Sequence, residues 1–138
     1  MNMEMQEELR VQEMQPDIMV VDDDAHFRET ITDALSLKQI QVFSVACGQE
    51  AMRCLKDMTP SLILLDVQLP DVHGFELCRA LKRHLKLKNV PVVFLSARYT
   101  EPADRAEGLL AGADAYLSKP VNMDTLWEEV RYLLDKPK

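Results

Sequence analysis

The chain is predicted to fold as a doubly wound α/β domain, (βα)5, around one five-stranded parallel sheet in the order 2-1-3-4-5. Three observations point there. Five short apolar runs recur along 138 residues, a helical stripe follows each run, and polar or acidic residues stand where the runs end. Alternating strands and helices favour a parallel sheet covered on both faces, and right-handed crossovers leave few ways to order it.

The runs are Ile18–Val21, Val42–Val45, Leu62–Leu65, Val92–Leu95 and Ala115–Leu117. They are mostly continuous rather than alternating, as in strands buried on both faces. The first helix carries Phe27, Ile31, Ala34 and Leu35 on one face, with Asp24 as N-cap. Ala51, Cys54, Leu55 and Met58 mark the second, and Leu77, Cys78, Leu81 and Leu85 the third. For the fourth, Thr100 is the expected cap, with Pro102 in the first turn and an end near Gly112. The last, capped by Asn122, presents Met123, Leu126, Trp127, Val130, Leu133 and Leu134. This is the flavodoxin-like arrangement, in which ligands sit beyond the carboxyl ends of strands 1 and 3. The domain is expected over residues 16–135. Residues 1–15 read as a polar tail, with a docked or dimer-forming helix as the lesser alternative. Residues 136–138 are an end or the start of a linker.

Composition narrows the function. A net charge of −7 disfavours direct binding to nucleic acid or an anionic membrane. An acidic protein that handles phosphate needs a divalent cation to bring the two sets of negative charge together. Cys47, Cys54 and Cys78 are odd in number with no CxxC spacing, and read as free thiols. No signal peptide pattern opens the chain, and its apolar runs fall far short of the roughly 20 residues of a membrane span. A cytoplasmic location is expected.

Chemistry concentrates after the strands. Asp22, Asp23 and Asp24 follow the first run, Asp66 the third, Ser96 the fourth, and Ser118 and Lys119 the fifth. A parallel sheet brings these ends to one edge. Carboxylates that close repel one another unless a hard cation lies among them, and Mg²⁺ takes few carboxylates plus water and phosphate. Ser96 and Lys119 supply a hydroxyl donor and a positive charge for phosphoryl oxygens, and a carboxylate in such a place can be a nucleophile. Taken singly the residues mean little, because Asp after a strand is a common turn or cap residue. Their convergence carries the reading.

The segments Val20-Val-Asp22-Asp23, Leu62-Ile-Leu-Leu-Asp66-Val-Gln-Leu-Pro70-Asp-Val-His-Gly74, Val90-Pro-Val-Val-Phe-Leu-Ser96-Ala97 and Gly112-Ala-Asp-Ala-Tyr116-Leu-Ser-Lys119-Pro120 resemble the receiver domains of two-component response regulators. The resemblance runs from about Asp17 to Leu134. It implies phosphorylation of Asp66 and Mg²⁺, or Mn²⁺ in its place, bound by Asp22, Asp23, Asp66 and the Gln68 backbone carbonyl. Ser96 and Lys119 would contact the phosphoryl group, and Tyr116 would turn inward as a switch, the plainer alternative being a half-buried strand aromatic. The donor would be a sensor histidine kinase or a histidine phosphotransfer protein. A downstream effector, or a second copy in a homodimer, would read the face formed by the fourth helix, fifth strand and fifth helix. Ala115 stands where dimerising receivers often carry an acidic residue. The domain would be a signalling phosphoacceptor rather than an enzyme, assisting only its own phosphorylation and dephosphorylation.

Some positions depart from the commoner pattern. His73 precedes Gly74 in place of Asp, and Gln68 and Arg98 occupy variable positions expected to modulate the phosphorylated state. The basic run Lys82, Arg83, His84, Lys86, Lys88 reads as a solvated helix end, and Lys119–Pro120 is expected to be cis. Two rivals remain. In a haloacid-dehalogenase-type phosphatase Asp22 would be the nucleophile and Asp24 the acid. In a flavodoxin-like cofactor binder the loop after the first strand should not be acidic.

Overall fold

The computed structural model describes residues 16–136. The expectation of a polar tail over residues 1–15, and part of that for 136–138, lie outside the described residues. Five strands, β1 (Ile18–Val21), β2 (Val42–Val45), β3 (Leu62–Asp66), β4 (Val92–Ser96) and β5 (Ala115–Ser118), form one sheet in the order β2-β1-β3-β4-β5. All four pairings are parallel. The helices are α1 (Ala25–Ser36), α2 (Gly48–Cys54), α3 (Gly74–Arg83), α4 (Pro102–Leu110) and α5 (Met123–Asp135).

Side chains alternate across a strand, so each continuous apolar run feeds two cores. Met19, Val21, Ile63, Leu65, Val92 and Phe94 face one core, with Ala51, Leu77, Cys78 and Leu81 from α2 and α3. Ile18, Val20, Leu62, Leu64, Val93 and Leu95 face the other, with Ile31, Leu35, Leu126, Val130 and Leu133 from α1 and α5. Asp24 caps α1, accepting from the His26 and Phe27 N–H groups, and Asn122 caps α5 in the same way. The Lys119–Pro120 bond is cis.

Four expectations need correction. The second helix ends at Cys54, so Leu55 and Met58 are buried from the turn that follows rather than from a helical stripe. Leu85 is not on the buried face of the third helix. That helix stops at Arg83, His84 is extended, and Leu85 is 83% exposed while Leu87 takes the buried place. The fourth helix is capped by Glu101, not Thr100, and the Glu101 N–H donates to Asp104 Oδ2 at 3.2 Å. The basic run is not simply solvated. Lys82 Nζ donates to the Val90 carbonyl at 2.8 Å and lies 3.6 Å from Asp114, and Lys86 Nζ donates to the Leu55 and Lys56 carbonyls at 3.0 and 3.2 Å. Lys86 thus satisfies carbonyls at the C-terminal end of α2, and Lys82 one in the loop that leads into β4.

Candidate metal and phosphoryl site

The register of the sheet builds the site. Val21 pairs with Leu65, Asp66 with Leu95 and Ser96 with Ser118, which brings the polar residues at the ends of β1, β3, β4 and β5 to one edge. Asp22, Asp23 and Asp66 each offer a carboxylate oxygen within 4.8 Å of the others. An all-oxygen, acidic set of this kind suits a hard divalent cation. Asp22 is 1% exposed, and both its oxygens are engaged. Oδ1 accepts from the Asp24 N–H at 2.9 Å, and Oδ2 accepts from Lys119 Nζ at 2.6 Å. Its backbone carbonyl accepts from Arg28 Nη1 at 2.7 Å.

Asp66 is 9% exposed, its Oδ1 accepting from the Gln68 N–H at 3.3 Å and its Oδ2 3.9 Å from Lys119 Nζ. Burial, and then the Asp22 carboxylate, push its pKa up to about 6, against the opposing pull of Lys119. The Lys119 ammonium stands 4.1 Å from the Phe27 ring centroid, so α1 holds it from beneath. A cleft of about 320 Å³ opens above, lined by Asp23, Asp66, Gln68, Ser96, Arg98 and Lys119 among others.

Ser96 is buried, and its Oγ accepts from the Arg98 and Tyr99 N–H groups at 3.3 and 2.9 Å. Tyr116 is turned inward and buried. Its ring lies among Phe75 and Phe94, and its hydroxyl donates to the Tyr99 carbonyl. Gly108 makes the space, since a Cβ there would stand 2.8 Å from the Tyr116 ring. Burial raises the Tyr116 phenol above its ordinary pKa.

Asp22, Asp23, Asp66, Gln68, Ser96, Arg98 and Lys119 lie together at this edge, Tyr116 packs inward against Phe75 and Phe94, and the Asp24 carboxylate caps α1. The phosphatase alternative needs that group as an acid and loses it. His73 is the N-cap of α3, its Nδ1 accepting from the Phe75 N–H at 3.2 Å. Sequence reasoning missed Phe27, Arg28 and Tyr99. Phe27 reads only as a core residue, and the rest act through carbonyls or across long separations that no local pattern signals.

Comparison with known proteins agrees with this geometry. A family model described as the response regulator receiver domain matches residues 18–131. The transcriptional regulatory protein GltR of Pseudomonas aeruginosa is 42% identical over 117 residues, covering 85% of this chain and 48% of GltR. The receiver domain of a signal transduction histidine kinase from Syntrophus aciditrophicus has a TM-score of 0.80 at 32% identity, over 89% of this chain and 95% of that one. The receiver domain of a sensor histidine kinase from Pseudomonas aeruginosa PAO1, with a magnesium ion coordinated in its active site cleft, has a TM-score of 0.79 at 26% identity, over 88% and 98%.

The fold and the acidic edge define a phosphate-handling receiver, and the chain belongs to the response regulator receiver family of two-component systems. It spans about half the length of relatives such as GltR. Among the described residues no helix is long and apolar enough to cross a membrane.

Proposed function

We propose that this domain accepts a phosphoryl group on Asp66 from a sensor histidine kinase or a histidine phosphotransfer protein, with a divalent cation bound beside it. The observation that carries the reading is the convergence of the Asp22, Asp23 and Asp66 carboxylates within 4.8 Å, with Lys119 reaching two of them. Asp22, Asp23, Asp66 and the Gln68 carbonyl would hold Mg²⁺ or Mn²⁺. The cation neutralises the carboxylates and the phosphoryl oxygens, so that one anion can approach another. An Asp66 carboxylate oxygen then bonds to phosphorus as the donor's P–N bond breaks. Lys119 and Ser96 contact the transferred oxygens. The domain's own chemistry is confined to gaining and losing this group, and it works in the cytoplasm, where free thiols such as Cys47, Cys54 and Cys78 persist.

Acetyl phosphate with Mg²⁺ is expected to label the protein, with the label mapped to Asp66 by mass spectrometry and excess EDTA preventing it. Labelling that persists in EDTA, or that maps to Asp22, would overturn the reading. Gln68 and Arg98 line the cleft and flank the approach of water to the acyl phosphate. Gln68→Ala and Arg98→Ala are expected to change the decay of labelled protein severalfold while Mg²⁺ affinity holds. Unchanged decay in both variants removes this role.

Output is proposed to pass through Ser96 and Tyr116 to the α4–β5–α5 face. The Tyr99 backbone joins the two, donating to Ser96 Oγ and accepting from the Tyr116 hydroxyl. A signal needs an element with two arrangements that the phosphoryl group biases. The exposed Leu109 and Leu110 give an effector, or a second copy, an apolar contact on α4. Beryllofluoride, a phosphoryl mimic, is expected to shift the amides of residues 98–112 and the ring signals of Tyr116. Saturation without those shifts would remove the switch.

A further inference from the structure

Helix α2 begins without a cap of its own. Cys47, at the N-cap, makes no side-chain hydrogen bond to the helix, although the first turn of any helix presents unpaired N–H groups. Those of Gly48 and Gln49 are met from far along the chain. They donate to Asp71 Oδ1 at 2.9 Å and Asp71 Oδ2 at 2.8 Å, across separations of 23 and 22 residues. Asp71 belongs to the β3–α3 loop. These N–H groups hold its carboxyl below the usual carboxylate range. Packing agrees independently, because a Cβ on Gly48 would collide with Val72 Cγ1 from the same loop. The start of α2 is therefore fitted to the loop both by hydrogen bonds and by shape.

The same loop carries part of the acidic site. The Gln68 N–H donates to Asp66 Oδ1, and Gln68, Leu69 and Pro70 line the cleft. The base of the loop is closed by the Gly74 N–H donating to the Val67 carbonyl at 2.6 Å and by a bridge between Gln68 and His73. Asp71 ties the far side of the loop to α2.

We propose that Asp71 is a positioning residue for the cation site: by hooking the β3–α3 loop onto the start of α2, it fixes Gln68, and through Gln68 the Asp66 carboxylate. The inference rests on the metal assignment made above. A loop released from α2 must be ordered again when a cation binds, and that cost appears as lost affinity. The coupling is reciprocal, so cation binding must also be felt at the Gly48 and Gln49 N–H groups.

The test is a Mg²⁺ titration of the whole chain followed by calorimetry and by amide NMR. Removal of a group that orients a metal ligand lowers affinity by about tenfold or more, which is the loss expected for Asp71→Ala. Asp71→Asn keeps one acceptor oxygen and is expected to recover most of it. In the wild type the Gly48 and Gln49 amides shift with the same apparent affinity as the site, and in Asp71→Ala they do not. A general loosening would strike the Ala and Asn variants alike. Equal weakening in both, wild-type affinity in Asp71→Ala, or silent Gly48 and Gln49 amides overturns the proposal. If the wild type binds no Mg²⁺, the metal assignment falls and takes this inference with it. If the wild type and Asp71→Ala bind equally well, only the role of Asp71 falls.

Discussion

Asp66→Asn is expected to make the metal-free protein more stable at pH 7 while abolishing its labelling. The Asp66 carboxylate sits 9% exposed beside Asp22, and its pKa is raised from 3.8 to about 6. A folded-state pKa above the unfolded one means that the folded protein keeps a proton the unfolded chain has released. Stability from this group is present below about pH 4 and is lost as pH rises through about 6. At pH 7 the fold therefore carries an unfavourable charge that Asn lacks. A rise of this size corresponds to about 1–3 kcal/mol, at about 1.4 kcal/mol for each pH unit. Urea unfolding in EDTA at pH 4 to 8 measures it. The advantage of Asn should be near zero at pH 4 and fully developed by pH 7, and saturating Mg²⁺ should stabilise the wild type more than the variant. An Asn variant no more stable than the wild type at pH 7 would show that Lys119 already offsets the repulsion.

Gly74→Ala is expected to cost about 3 kcal/mol, at the upper end of the range for forcing extra atoms into packed structure. A Cβ there would stand 2.6 Å from the Asp66 carbonyl oxygen, 2.7 Å from Val67 Cα and 2.9 Å from the Val67 oxygen. All three are backbone atoms, so no side-chain end can swing aside. Relief requires the start of α3 to move off the end of β3, and that movement displaces Asp66 itself. Urea unfolding and Mg²⁺ titration should therefore both suffer. A loss below about 1 kcal/mol would mean that the loop yields more easily than its contacts suggest.

The fold was legible because each strand is a short, continuous apolar run and each helix an amphipathic stripe, and those are local properties of the sequence. The caps at Asp24 and Asn122 were legible for the same reason, since a cap bonds within three residues of itself. At the end of the third helix and along the basic run, expectation failed because the deciding contact lay outside the helical pattern. Leu85 extends the third stripe in sequence, but Leu87 fills the core from beyond the helix end. Lys82 and Lys86 read as solvated charges because their acceptors, the carbonyls of Val90 and Leu55, lie outside any helical periodicity.

The same division runs through the site. The chemical inventory of Asp22, Asp23, Asp66, Ser96 and Lys119 follows from residue types at strand ends, because a parallel sheet must gather its carboxyl ends on one edge. Which groups touch was decided by the tertiary structure. Lys119 meets Asp22 more closely than Asp66, Phe27 supports the ammonium from α1, Tyr116 lies inward against Phe75 and Phe94, and Asp71 reaches across to α2. Sequence alone determined the elements, their order and the polar residues that the strand ends gather on one edge, because periodicity and strand-end position are encoded within a few residues. Only the tertiary structure decided which charges pair, which carboxylate is raised and which loop is anchored, because those depend on angstrom distances between segments from 22 to 97 residues apart.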